Sequence, residues 1–217
     1  MTKKQRAARA VEALKKEYPD AICSLTYQNP LQLLIATRLS AQCTDARVNL
    51  VTPALFERFP TLDDFVNGSA EEIEGYIRSC GLYKTKARDL FAMCQMLKTK
   101  YNGVVPDTIE ELTKLPGVGR KTANLVVGDI YHKPAVVTDT HCIRICARIG
   151  ISEGTNPLKV EKQLRAVLPT NESNDFCHRL VLHGRAICTA RSPKCEICPM
   201  KEFCSYAIKN VRSSQPT

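Results

Sequence analysis

Lys121 stands directly behind the stretch Leu115-Pro-Gly-Val-Gly-Arg120, at the start of what reads as a helix. Gly117 and Gly119 have no Cβ, so the backbone N–H groups of Gly117, Val118 and Gly119 can come close to a ligand. The N-terminus of the following helix adds unpaired N–H groups and the positive end of a dipole. Together they form an anion site, and phosphate is the anion it suits. Lys121 then presents an amine to whatever carries that phosphate, either as a further phosphate contact or as a nucleophile. A free lysine side chain titrates near about 10.4, so attack at neutral pH needs help. A helix N-terminus disfavours the protonated amine, and partial burial would push the same way. A neutral amine can attack an electrophilic sugar carbon and form a Schiff base.

Asp139, in Val137-Thr-Asp-Thr-His141, is placed as the N-cap of a helix. A carboxylate held this rigidly can also stabilise a developing oxocarbenium charge or move a proton, and the two roles are compatible. Four of the eleven cysteines crowd together as Cys188, Cys195, Cys198 and Cys204, with spacing C-x6-C-x2-C-x5-C. Such thiolates share a metal or pair as disulfides, and Pro193 and Pro199 favour a looped course between them. Structural zinc usually takes two C-x2-C pairs, whereas only one is present here. An iron–sulfur cluster held by four thiolates tolerates irregular spacing, so the spacing favours [4Fe–4S] over zinc. The other cysteines (23, 43, 80, 94, 142, 146 and 177) fall mostly in apolar helical patterns and read as small buried hydrophobes.

The elements that must position these groups are almost all helical. Thr2 to Tyr18 forms a basic helix with Val11, Leu14 and Tyr18 on one face. Asn29-Pro30 opens Leu31 to Leu39, and Asn156-Pro157 opens a helix carrying Val160, Leu164 and Val167. Thr44 caps a helix that Pro53 should kink or divide. Ser69-Ala-Glu-Glu72 is a capping box, followed by Ile73, Tyr76, Ile77 and Cys80 at helical spacing and a stop at Gly81. Ala87, Leu90, Phe91 and Cys94 repeat that spacing, as do Ala123 to Ile130 and Cys142 to Ile149. Ile109, Leu112 and Leu115 share one helix before the glycine turn, which makes the region a helix-hairpin-helix. Such hairpins grip a DNA strand without reading bases. A last helix runs from about Ser173 to Ala186. No stretch gives a convincing sheet; Ala135-Val-Val137 is extended at most. A disordered tail is expected after Lys209.

With 217 residues and ordinary apolar content the chain can bury a sizeable core in one large domain or two small ones. No apolar run is long enough for a membrane span. The basic N-terminus has no secretory core behind it, and Glu12 and Glu17 interrupt any mitochondrial presequence. A cytoplasmic location follows, nucleoid-associated if the source is bacterial, and it disfavours disulfides. The formal charge of +9 suits a polyanionic partner, foremost nucleic acid, although it also suits simple solubility.

The chain resembles the endonuclease III family of DNA glycosylases, from about Ala21 to Tyr206. The resemblance is carried by Leu39-Ser-Ala-Gln-Cys-Thr-Asp45, Gly81-Leu-Tyr83, Leu115 to Asn124, Val137 to His141, Leu182-His-Gly-Arg185 and the four-cysteine loop. It implies a two-lobed all-α fold, with a six-helix barrel lobe over residues 21–133. A second lobe, residues 1–20 and 134–210, holds a [4Fe–4S] cluster on the four cysteines; 211–217 form the tail. It implies that Lys121 is the nucleophile and Asp139 the catalytic carboxylate. Gln42 then fills the gap left by a flipped nucleotide and Leu82 wedges into the stack, although from the residues alone they read as a polar cap and a core leucine. Arg191 and Lys194 contact phosphates. The activity implied is that of a bifunctional glycosylase and abasic-site lyase. It would act as a monomer on double-stranded DNA containing a damaged pyrimidine or an abasic site, nicking 3′ to the lesion by β-elimination.

Two positions depart from the family pattern. Cys43 stands where a small residue is usual, and Thr138 where an aliphatic one is. Two other readings compete. Monofunctional relatives that act on mismatched adenine or thymine lack a lysine at the position of Lys121. A non-catalytic DNA-binding module with a redox-sensing cluster would have no need of Lys121 and Asp139 together.

Overall fold

The computed structural model describes the backbone of residues 1–213 and side chains as far as Lys209. Every regular element among the described residues is helical. In chain order these are α1 (Lys3–Glu17), α2 (Pro30–Leu39), α3 (Asp45–Arg58), α4 (Leu62–Asn67), α5 (Ala70–Ile77), α6 (Tyr83–Lys100), α7 (Ile109–Leu112), α8 (Arg120–Asp129), α9 (Thr140–Ile149), α10 (Pro157–Val167), α11 (Ser173–Ala186) and α12 (Ser205–Ser213). The chain forms two compact units. One is continuous, Cys23–His132; the other joins Met1–Ile22 to Lys133–Thr217. No helix among the described residues is long and apolar enough to cross a membrane.

In the continuous unit, α2 is almost entirely enclosed: Leu33, Leu34, Ile35, Ala36, Thr37 and Leu39 are all buried. Asn29 caps it, its Oδ1 accepting the Gln32 N–H at 3.0 Å, and Pro30 supplies the preset φ of a first helical residue. α5 and α6 pack side by side, with Ile73, Ile77, Ala87, Leu90, Met93, Cys94 and Leu97 buried between neighbours. Met93 takes the inner position beside Cys94, while Phe91 is only half-buried. Phe59 and Phe65 stack at 4.7 Å, an arrangement worth ~0.5–1.5 kcal/mol beyond area burial.

Three local expectations are corrected. Pro53 does not divide its helix, since α3 runs unbroken from Asp45 to Arg58. A proline deletes one ladder bond, and the ladder on either side is enough to carry the helix on. The capping box at Ser69 is one-sided: Ser69 Oγ accepts the Glu72 N–H at 3.1 Å, but the Glu72 carboxylate is taken by Arg58. Complete boxes occur instead at Thr2–Gln5 and Thr61–Asp64. Finally, Leu115 lies beyond α7, in the turn, with its N–H donating to the Leu112 carbonyl.

In the composite unit, α1 packs on α11 and α10 through Ala7, Ala10, Val11 and Leu14. α9 presents Cys142, Ile145, Cys146 and Ile149 as one buried stripe and ends at Gly150, whose φ of +88° is left-handed. The non-helical run Ala135–Val137 is buried throughout. α12 carries helix into residues expected as tail, as far as Ser213; residues 214–217 lie outside the described residues.

Candidate active site and cluster loop

The hairpin is built by a short turn with two apolar anchors. Leu115 and Val118 are 2% and 6% exposed, and the Val118 N–H donates to the Leu115 carbonyl at 3.1 Å. The Val118 N–H thus closes the turn and its side chain anchors it. The two glycines have different reasons. Gly117 has φ +73°, and a Cβ there would lie 2.5 Å from Arg38 Nε and 2.8 Å from Asp89 Oδ2. Arg38 and Asp89 form a half-buried ion pair, Nε to Oδ2 3.0 Å, so the turn rests on a charged pair from α2 and α6. Gly119 is the N-cap of α8 without a side-chain cap, and nothing lies within 4 Å of where its Cβ would be. Its missing side chain leaves the start of α8 open on the outer side.

Lys121 is the second residue of α8 and is exposed. The partial burial that the sequence left open for Lys121 is not met. The rest of α8 explains how the lysine is held: Thr122 to Gly128 are all buried.

Asp139 caps α9. Its Oδ1 accepts the Cys142 N–H at 2.7 Å, and its Oδ2 lies 3.1 Å from His141 Nδ1. The carboxylate is thus held at both oxygens, and its side chain is 16% exposed. His141, which the sequence reading passed over, is in turn seated against Gly184, where a Cβ would come 2.5 Å from the ring. That close approach gives the glycine of Leu182-His-Gly-Arg185 its purpose. Thr138 is buried next to Asp139, and nothing in the structure explains the hydroxyl.

Gln42 is not a cap and Leu82 is not a core residue. Thr44, not Gln42, caps α3, its Oγ1 accepting the Arg47 N–H at 3.2 Å. Gln42 is exposed with φ +55°, and Leu82 is 62% exposed with φ +48°. Left-handed backbone at a residue with a Cβ costs of order 1–3 kcal/mol and persists only where the surroundings enforce it. Both side chains are held out in conformations that local sequence does not favour.

The four cysteines occupy a loop tied down from α9. Arg148 donates to Cys188 Sγ (3.3 Å), the Thr189 carbonyl (2.6 Å) and the Ala190 carbonyl (2.8 Å), with its guanidinium over the Tyr206 ring. Arg144 donates to the Cys188 carbonyl at 3.0 Å. Cys204 Sγ donates to the Arg148 carbonyl at 3.3 Å, and Cys198 Sγ lies 3.6 Å from His183 Nε2. The i, i+4 spacing of Arg144 and Arg148, on the face of α9 opposite its apolar stripe, was the available signal for this clamp. All eleven cysteines are free of disulfides, and five of the seven outside the loop are buried. Burial raises the Cys198 thiol to about 11, and the three other thiols of the loop push in the same direction. The four sulfurs thus sense one another. Yet among the described residues no three His, Cys, Asp or Glu side chains converge closely enough to hold a single metal ion.

The continuous unit holds a helix-hairpin-helix and the composite unit a loop with four cysteines. Residues 35–170 match the HhH-GPD superfamily of base excision DNA repair proteins, and residues 188–204 match the iron-sulfur binding domain of endonuclease III. Endonuclease III of Synechocystis is 45% identical over 95% of this chain and 94% of its own length; that of Escherichia coli is 38% identical over 90% and 93%. A solved structure of a trapped endonuclease III–DNA covalent intermediate superposes with a TM-score of 0.90 at 46% identity, covering 98% of this chain and all of the other. A thermostable thymine-DNA glycosylase shares the fold at 24% identity, with a TM-score of 0.86. The chain belongs to the endonuclease III family. It is a DNA glycosylase with abasic-site lyase activity, and it carries a [4Fe–4S] cluster.

Cys188, Cys195, Cys198 and Cys204 are the residues that would hold that cluster. Purified protein should be yellow-brown with about four irons per chain. Cys198→Ser should loosen the composite unit and leave the continuous unit folded, because metal binding is coupled to local folding. Hydrogen exchange resolved by segment checks this; equal loss of protection in both units would contradict it.

Proposed function

We propose that Lys121 is the nucleophile with which this glycosylase and lyase removes damaged pyrimidines. The observation that carries the reading is an exposed lysine at the second position of α8, two residues beyond Gly119, where the space beside the backbone is open. The hairpin holds a phosphate of the target strand through the N–H groups of Gly117 and Gly119, which sets the sugar against the amine. The Lys121 nitrogen bonds to C1′ as the glycosidic bond breaks and the base departs with a proton. Asp139 stabilises the positive charge that develops on the sugar. Loss of a proton from the nitrogen and opening of the sugar give a Schiff base. Removal of a C2′ proton then expels the 3′ phosphate, and water releases the lysine. The cluster supplies no step in this scheme; when bound it braces the loop that bears Arg191 and Lys194.

The continuous unit serves as the six-helix barrel lobe and the composite unit as the cluster lobe. Gln42 fills the gap left by the extruded nucleotide and Leu82 wedges into the stack, a reading supported by their exposure and left-handed backbone. The substrate is double-stranded DNA holding an oxidised or reduced pyrimidine or an abasic site, and the protein acts as a monomer in the cytoplasm, at the nucleoid in a bacterial cell. Duplexes each bearing one defined lesion test this. Oxidised and reduced pyrimidines should be excised and the strand nicked 3′ to them. Excision confined to mismatched adenine or thymine, without nicking, would favour the monofunctional reading that Lys121 disfavours.

Arg191 and Lys194 are both exposed on the cysteine loop, and the Lys194 N–H ties the loop's far end to the Ile187 carbonyl at 3.0 Å. Binding to undamaged DNA should weaken steeply with salt. Replacing either residue with alanine should flatten the log–log salt slope by roughly one unit. An unchanged slope in both variants would remove this loop from the DNA interface.

A further inference from the structure

We propose that Lys86 is a positioning residue for DNA insertion: its ammonium, held between the carbonyls of Leu39 and Cys80, fixes the backbone from which Gln42 and Leu82 project. The inference rests on the reading that those two residues enter the DNA. Lys86 lies on α6 and is fully buried, an unusual place for a lysine without a carboxylate partner. Its Nζ donates to the Leu39 carbonyl at 2.8 Å and to the Cys80 carbonyl at 2.5 Å. Its own backbone N–H donates to the Leu82 carbonyl at 3.0 Å.

The two carbonyls are not arbitrary. Leu39 is the last residue of α2, and Cys80 ends the short 3-10 helix Arg78–Cys80. The final carbonyls of a helix have no partner within it and carry its negative partial charge. One ammonium therefore caps two helix ends at once. From Leu39 the chain reaches Gln42 in three residues, and from Cys80 it reaches Leu82 in two. Both arrive in left-handed backbone, with Gly81 at φ +58° between Cys80 and Leu82. Cys43, next to Gln42, lies near the Cys80 thiol, so the two segments also approach one another through side chains. An apolar side chain of the same length would fill the space around Lys86 but leave both carbonyls unpaired. The ammonium supplies a common origin for two segments distant in sequence. Side chains held in place before contact lose little freedom when they enter the base stack.

Lys86→Met keeps the stem and removes the charge. It should lower excision of a pyrimidine lesion in duplex DNA by about 10–100-fold, the size expected from a small displacement of positioning groups. Cleavage of an abasic site placed in single-stranded DNA, which needs no extrusion, should be retained. The fluorescence rise of 2-aminopurine opposite an abasic site, which reports unstacking, should be lost. Lys86→Arg, which retains charge and donors, should recover part of both signals. Gln42→Ala and Leu82→Ala are measured on the same substrates. If neither lowers duplex excision, the reading beneath this proposal fails. If both do and Lys86→Met does not, only the role of Lys86 fails. Equal loss on duplex and single-stranded substrates would make Lys86 a folding residue and overturn the proposal. Should Lys86→Met not fold, Lys86→Gln is scored by the same two substrates and the same criterion.

Discussion

Lys121→Gln is expected to abolish borohydride trapping on lesion-containing DNA and to abolish strand nicking, while affinity for undamaged duplex persists. The loss should be complete within detection because the covalent route needs an amine at that one place. The other lysine of the hairpin, Lys114, has its ammonium on Glu111 Oε1 at 2.5 Å. Binding should survive because the hairpin acts through the backbone, and the exposed Lys121 side chain anchors nothing in the core. The fold should survive for the same reason. Undiminished trapping by Lys121→Gln would place the nucleophile elsewhere and end the proposed mechanism.

Asp139→Asn should separate chemistry from capping. The amide oxygen of asparagine can still accept the Cys142 N–H, so stability should change by at most ~1 kcal/mol. The amide nitrogen would face His141 Nδ1, which can accept once the ring carries its proton on Nε2. Base removal should nevertheless fall by about two to three orders of magnitude, because the charge opposite the developing cation is gone. Action on a pre-formed abasic site should suffer less, since the aldehyde is already electrophilic. Rates per folded molecule on both substrates, with thermal unfolding of each variant, check this. An unfolded variant with normal activity per folded molecule would reduce Asp139 to a cap.

Residue spacing made the helices legible wherever an apolar stripe and a capping residue agreed, as at Asn29-Pro30 and Asp139. The hairpin was legible for the same reason, because its glycines and its apolar anchors lie within one short stretch. What the spacing could not show was contact across the chain. Gly117 reads as an open amide in sequence, but the Arg38–Asp89 pair that it must clear comes from two other helices. Gln42 and Leu82 read as cap and core because their exposure is set by backbone angles that no periodicity encodes. Lys86 looks like one more surface lysine until its two carbonyl partners, 47 and 6 residues away, are known. Lys121 runs in the opposite direction: the sequence left partial burial open at a position that a short first turn leaves in solvent.

The composite unit has a consequence for biosynthesis. α1 ends at Glu17, yet α11, one of the two helices it packs against, begins only at Ser173. At about 5–20 residues per second, α1 waits roughly 8–30 s outside the ribosome with its apolar stripe uncovered. Cys23–His132 is one continuous compact unit, so it should close on its own core before the later segment emerges. The cysteine loop follows Cys23–His132 in sequence, so the hairpin should already be formed when iron is loaded. Starving cells of iron should accordingly leave protein in which Cys23–His132 resists protease and the termini do not.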